Sequence, residues 1–181
     1  MTVTRATTTA VTLADLDAMD EDAFAAALGG VFEHSPWVAR DAHARGPFPS
    51  VDALSRALAE AAGAAPRERR LALIRAHPEL AGREARAGEL TRESAGEQAR
   101  AGLDRLSAAE VRELSELNRS YRERFGFPLV VCVREHTKDS ILAWGRERLG
   151  HTEDEEIAIA LGEVAKIADL RLRDLVAEGA A

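Results

Sequence analysis

A chain of 181 residues, 46% hydrophobic and 30% charged, is long enough for one domain with a substantial core and has an ordinary soluble composition. Its net charge of −7 argues against nucleic acid as the main partner, and no apolar run approaches the ~20 residues of a membrane span. The single cysteine, Cys132, excludes a disulfide within the chain and a thiolate metal cluster.

Residues 1–10 are Thr-rich and are expected to form a flexible N-terminus ahead of a domain over residues 11–177. The stretch up to Asp22 turns acidic where a signal peptide needs its apolar segment. The closing AEGAA carries no peroxisomal type of address, so a cytoplasmic location is expected. Ser35 followed by Pro36 reads as a cap and first helical position for a segment through about Arg45. Ser50 caps a helix carrying Leu54 and Leu58, which Gly63 ends. Pro66 opens the next, with Leu71 and Ile74. It must stop near His77, because the residue before Pro78 is pushed out of the α region.

Ser107 with Glu110 forms a capping box ahead of the stripe Val111, Leu114, Leu117 and Tyr121, and Gly126 and Pro128 close that helix. Thr137 starts a helix containing Ile141, Leu142 and Trp144 that Gly150 ends. Thr152 with Glu155 is a second capping box. It opens a long helix with the stripe Ile157, Leu161, Val164, Ala168, Leu172 and Leu175. The run from Phe127 to Val133 has the β-branched composition of a strand but no partner strand, so it reads as a buried extended connector. Cys132 within it reads as a small buried hydrophobe. The pattern predicts one all-α, multi-helix domain.

Chemistry-bearing residues concentrate in HPELAG, His77 to Gly82, and TRESAGEQARAGL, Thr91 to Leu103. A histidine near a carboxylate can move a proton at neutral pH, although His77 taken alone reads as a hydrogen-bonded structural histidine. Ser94 and Glu97 match a capping box, and spacing alone favours that structural reading. If Thr91 is the cap instead, Ser94, Glu97 and Gln98 share one helix face and line a pocket. Arg134 and Arg171 can each bind a carboxylate with two parallel bonds. Otherwise Arg134 reads as an exposed loop charge and Arg171 as a stem packed along its helix with its head in water or paired to an acid. Solvated faces account for the other arginines. The five histidines, His34, His43, His77, His136 and His151, have no metal-pair spacing, and no nucleotide-cofactor motif is present.

FEHSPWVA (Phe32 to Ala39), HPELAG, LTRESAGEQARAGL, LNRSYRERFGFPLVVCV and KIADLRLRDLV together resemble, in order and from about Leu13 to Val176, the family that decarboxylates 2-oxo-4-hydroxy-4-carboxy-5-ureidoimidazoline (OHCU). The resemblance implies an all-helical homodimer without metal or organic cofactor. It also implies a reaction of urate degradation in which a small molecule, OHCU, loses carbon dioxide to give (S)-allantoin, with neither nucleic acid nor membrane as a partner. By motif, His77 is implied as the proton-transferring residue, supported by Glu97, with Pro78 shaping the pocket wall. Ser94, Glu97 and Gln98 fall on substrate-binding positions, as does the stretch Leu129, Val130, Val131, Cys132 and Val133. Arg171 of LRL is implied for the substrate's charged or carbonyl groups, with Arg134 as its competitor.

Two other readings use the same residues: a non-catalytic helical module for a small purine-derived ligand, and a lyase for a related ureido acid. His77 together with Ser94, Glu97 and Gln98 favours an enzyme over the module, because a binder needs no titrating group.

Overall fold

The computed structural model describes residues 11–177, and the expected flexible stretch 1–10 lies outside them. Val11–Thr12 (β1) leads into helix α1, Leu13–Asp17, which Thr12 and Asp15 close with a reciprocal capping box. Helix α2, Glu21–Ala27, starts where the Asp20 carboxylate accepts the Ala23 N–H. Neither short helix was legible in the sequence pattern. Helix α3, Trp37–His43, opens at Pro36 with no side-chain cap. The expected cap role of Ser35 is therefore not played, and the helix stops short of Arg45.

Ser50 does cap helix α4, Val51–Ala64, its hydroxyl accepting the Ala53 N–H at 3.1 Å. Gly63 lies inside that helix and does not end it. The chain leaves α4 at Ala65, extended as the residue before Pro66 must be. Helices α5 (Arg67–Arg75), α6 (Arg83–Ala87), α7 (Arg92–Arg100), α8 (Ala108–Phe125), α9 (Lys138–Arg148) and α10 (Glu153–Leu175) complete the helical framework. Both predicted capping boxes are present, at Ser107–Glu110 and Thr152–Glu155, and Gly126 ends α8 in the left-handed conformation. Val176–Ala177 (β2) pairs in parallel with β1, Val11 opposite Val176. This minimal pair ties the two ends of the domain together.

Helix α10 is the keel, packing against α4 and α5. Its buried stripe includes Ile157, Val164, Ala168 and Leu172, as the periodicity predicts, while Leu161 and Leu175 are only partly buried. The same helix also buries Glu156, Glu163 and Arg171. Seven and eight residues apart, these three lie on one side of the helix and carry charge into the interior. Phe127 to Val133 is indeed a buried extended connector, entering a single 3-10 turn at Val133–Glu135. Cys132 within it is 1% exposed. Burial, reinforced by the charges of Glu135 and Glu163, pushes its thiol up to about 11, so it is no thiolate nucleophile.

Gly145 allows α9 to approach the connector. A methyl group there would meet Leu117 Cδ2 at 2.7 Å and Leu129 Cδ2 at 2.8 Å. Gly145→Ala is expected to destabilise the domain by about 1–3 kcal/mol through overpacking, less the ~1 kcal/mol of helix propensity gained. Thermal unfolding checks this; an unchanged melting temperature would mean that both leucines swing aside.

Candidate active site

Helix α5 has to end where it does. Pro78 cannot continue it, and the His77 N–H closes the last turn on the Ile74 carbonyl at 3.2 Å. The imidazole then folds back, Nδ1 lying 3.0 Å from the Leu73 carbonyl. A carbonyl only accepts, so Nδ1 carries the proton and Nε2 keeps a lone pair. Nε2 makes no hydrogen bond to the described residues, and His77 lines a cavity. Burial pushes the His77 pKa below its ordinary value. The Leu73 hydrogen bond and the charges of Glu33 and Glu97 oppose that shift without overcoming it. The ring is therefore neutral at neutral pH, with a basic nitrogen aimed into the cavity.

The loop after Pro78 is held by amides from two helices. Gln98 of α7 accepts the Ala81 N–H at 2.8 Å, and Asn118 of α8 donates to the Leu80 carbonyl at 2.9 Å. Ala81 sits at φ 47°, a left-handed conformation that costs a non-glycine residue energy and persists only when its surroundings fix it.

Thr91, not Ser94, caps α7: its hydroxyl accepts the Ser94 N–H at 3.3 Å. This overturns the capping-box reading of Ser94 and Glu97. With the start at Thr91, Ser94, Glu97 and Gln98 turn to one face, and all three are buried.

Arg171 of α10 meets that face. Its Nε and Nη2 grip the two oxygens of Glu97 at 2.9 and 2.8 Å. Nη2 also donates to Ser94 Oγ at 3.1 Å, while Nη1 donates to Glu33 Oε2 at 2.9 Å and to the Gly30 carbonyl at 3.3 Å. Five bonds engage the five N–H groups of the guanidinium. Of the two readings of its head group, Arg171 thus takes the one paired to acids and not the one in water.

Glu33, 3% exposed, was missed by sequence reasoning. It also accepts hydrogen bonds from the hydroxyls of Thr91 (2.6 Å) and Ser94 (3.0 Å). Burial pushes its carboxyl up, but those hydrogen bonds and the Arg171 charge outweigh burial and hold it below its ordinary value. The only hint in the sequence was its place in FEHSPWVA, between the apolar Phe32 and the turn at Ser35–Pro36.

The cavity is narrow, about 30 Å³ in volume. His77, Pro78, Ser94, Glu97, Gln98 and Arg171 contribute to its wall, and Leu129, Val130, Val131 and Val133 form the connector side. Leu80 and Ile167, which the sequence reading did not single out, complete it. Cys132 and the competing Arg134 are the predicted residues outside the lining; the Cys132 N–H is turned toward Glu163 Oε2 at 2.8 Å. Glu97 bonds Arg171 and acts on His77 through its charge, without a hydrogen bond between them. Arg134 reaches Glu97 from outside the cavity, Nη2 lying 3.7 Å from Oε1, and pairs with Asp174. Among the described residues no group of three or more His, Cys, Asp or Glu side chains is arranged to hold a metal ion. No described helix is long and apolar enough to cross a membrane.

A helical domain with a narrow pocket lined by a histidine, a carboxylate and a guanidinium is the class that fold and site define. A family model described as OHCU decarboxylase matches residues 17–173, and the chain belongs to that family. It is 44% identical over 164 residues to a 2-oxo-4-hydroxy-4-carboxy-5-ureidoimidazoline decarboxylase of Haloferax volcanii, covering 91% of this chain and 95% of the relative. A crystal structure of (S)-allantoin synthase superposes with a TM-score of 0.73 at 29% identity over 94% of this chain, which spans 56% of that longer one. A crystal structure of OHCU decarboxylase in the presence of (S)-allantoin shares the fold, with a TM-score of 0.66 at 22% identity over 87% of this chain and 98% of the other.

Proposed function

We propose that this chain decarboxylates OHCU to (S)-allantoin and carbon dioxide in urate catabolism, without a cofactor and as a cytoplasmic homodimer. The observation that carries the catalytic reading is the neutral His77, with Nδ1 committed to the Leu73 carbonyl and Nε2 free at the cavity wall. Membership of the family and the 44% identical relative support the choice of substrate.

OHCU carries its own electron sink, which removes the need for pyridoxal or thiamin chemistry. As the bond to the carboxylate breaks, its electron pair passes into the adjacent ring C=N bond, whose nitrogen takes one proton from the medium. His77 Nε2 accepts the 4-hydroxyl proton as that oxygen becomes a carbonyl. The imidazolium then returns it to the neighbouring carbon on one face, setting the configuration. The burial that keeps His77 neutral also makes its imidazolium a ready acid, while the nearby carboxylates of Glu97 and Glu33 keep protonation within reach.

Ser94, Gln98 and main-chain groups of the connector hold the ring and ureido atoms. Pro78, Leu129, Val130 and Val133 form walls. Arg171, its N–H groups already engaged, contributes charge to the substrate's surroundings and keeps Ser94 and Glu97 in place. Cys132, its N–H held by Glu163 and its C=O by the Glu135 N–H, fixes the path of the segment and does not contact the substrate.

The test is a coupled reaction from urate, with urate oxidase and hydroxyisourate hydrolase generating OHCU in place and circular dichroism following the product. Rapid appearance of optically active (S)-allantoin is expected. Racemic product at the spontaneous rate, with allantoin raising the melting temperature of the folded protein, would make this a binding module instead.

A further inference from the structure

Arg148 and Glu156 are both 0% exposed, and neither lines the cavity. A buried guanidinium needs partners for its charge and for its N–H groups. Arg148 Nε donates to Glu156 Oε1 at 2.7 Å, and Nη2 meets the same carboxylate and the Tyr121 hydroxyl. The Trp144 ring covers its face, 4.6 Å from the guanidinium carbon. The remaining arm leaves this cluster. Nη1 donates at 2.8 Å to the carbonyl of Val130, a residue of the cavity wall. Two residues further on, Glu163 of α10 accepts the Cys132 N–H.

In an extended chain the N–H and C=O of one residue point to one side and those of the next residue to the other. The Val130 carbonyl and the Cys132 N–H are both turned to the α9–α10 side, so the Val131 peptide groups point the opposite way. Val131 lines the cavity, and neither its N–H nor its C=O has a protein partner among the described residues. Buried peptide groups are rarely left unpaired. One donor and one acceptor side by side complement the N–H and C=O of a cyclic ureide.

We infer that Arg148 is a positioning residue for the decarboxylation: paired with Glu156, it fixes the Val130 carbonyl and so presents the Val131 peptide edge to the substrate ring. This rests on the function proposed above. It differs from a purely structural role, because a buried ion pair serving only stability can be exchanged for packed apolar groups with little loss. A tie to the backbone of a ligand-facing segment sets geometry instead.

The experiment compares Arg148→Lys with Tyr121→Phe in the coupled assay. Lysine keeps the charge beside Glu156 but has no second arm for the carbonyl. Its KM is expected to rise about tenfold, the equivalent of about one hydrogen bond, with kcat changed less than about threefold and the product losing optical purity. Tyr121→Phe loosens the same buried cluster without touching the connector, and is expected to lower the melting temperature while KM stays put. Should Arg148→Lys fail to fold, Glu163→Leu releases the Cys132 N–H with the Arg148–Glu156 pair intact and is likewise expected to raise KM. A folded Arg148→Lys, or in its place Glu163→Leu, with wild-type KM and purely (S) product would overturn the inference. So would a Tyr121→Phe protein whose KM rises as much. Failure of the wild type to accelerate loss of OHCU would instead overturn the functional reading itself, and this inference with it.

Discussion

His77→Ala is expected to lower turnover of OHCU by about 10²–10⁴-fold, the usual contribution of a positioned acid–base group. His77→Asn should do the same. Asparagine can still offer a donor toward the Leu73 carbonyl that Nδ1 now serves, so it spares the helix terminus and removes only the basic nitrogen in the cavity. If the histidine were structural, the asparagine variant would keep its activity. Normal turnover in both folded variants would take the proton transfer away from His77. The wild-type pH profile provides a second check. The reaction needs the neutral ring, and burial holds its pKa below the ordinary 6.5. Activity should therefore be level through neutral pH and fall only on the acid side of the usual histidine range.

The same shift links stability to pH. His77 binds its proton more weakly folded than unfolded, so protons favour the unfolded chain. Its contribution is whole above the unfolded value of 6.5 and is lost as pH falls toward the folded value. Glu33 acts with the same sign lower down, its folded carboxyl lying below the ordinary 4.5. The melting temperature should decline from about pH 6.5 downward, and His77→Asn should flatten the upper part of that decline.

What could be read from the sequence was whatever repeats or punctuates. Capping residues at Ser50, Ser107, Thr137 and Thr152 mark real helix starts, because an orphan N–H needs a partner wherever the helix lies. The apolar run from Phe127 gave away its burial, since nothing in it could face water. The short helices α1, α2 and α6 escaped because none spans two full turns of apolar periodicity. Of the polar residues lining the cavity, motifs found those in HPELAG and SAGEQ, but pattern alone misjudged the helix start that turns Ser94 and Glu97 inward. Of the charged row on α10 it singled out Arg171 and passed over Glu156 and Glu163. Glu156, Glu163 and Arg171 sit in a helix that also carries exposed charge, and a local window cannot distinguish a charge in water from one paired across the core. Their partners lie elsewhere in the chain: Arg171 meets Glu33 from 138 residues away and Glu97 from 74.

Arg171→Leu should therefore have a large effect on stability. Leucine fills part of the space but leaves Glu33 and Glu97 inside without their cation. Removing one partner of a buried pair costs about 3–5 kcal/mol, because the charge left behind is uncompensated. A solvated arginine, one of the readings the sequence allows, would cost no more than about 0.5 kcal/mol. The pH dependence separates the buried-pair mechanism from a simple packing defect. In the variant, loss of the guanidinium lets burial raise the Glu33 carboxyl from its wild-type position, opposed only by the hydrogen bonds from Thr91 and Ser94. The stabilisation that wild-type Glu33 gains at neutral pH is diminished, so the variant's deficit is largest at neutral pH and shrinks as pH falls and Glu33 is neutralised. Adding Glu97→Gln to Arg171→Leu should recover part of the loss at pH 7.5 by removing one stranded charge. Denaturant unfolding of both variants at pH 7.5 and pH 5 measures this. A deficit that stays constant across that range would mean that Arg171 contributes packing, and that the Glu33–Arg171–Glu97 cluster owes little to its charges.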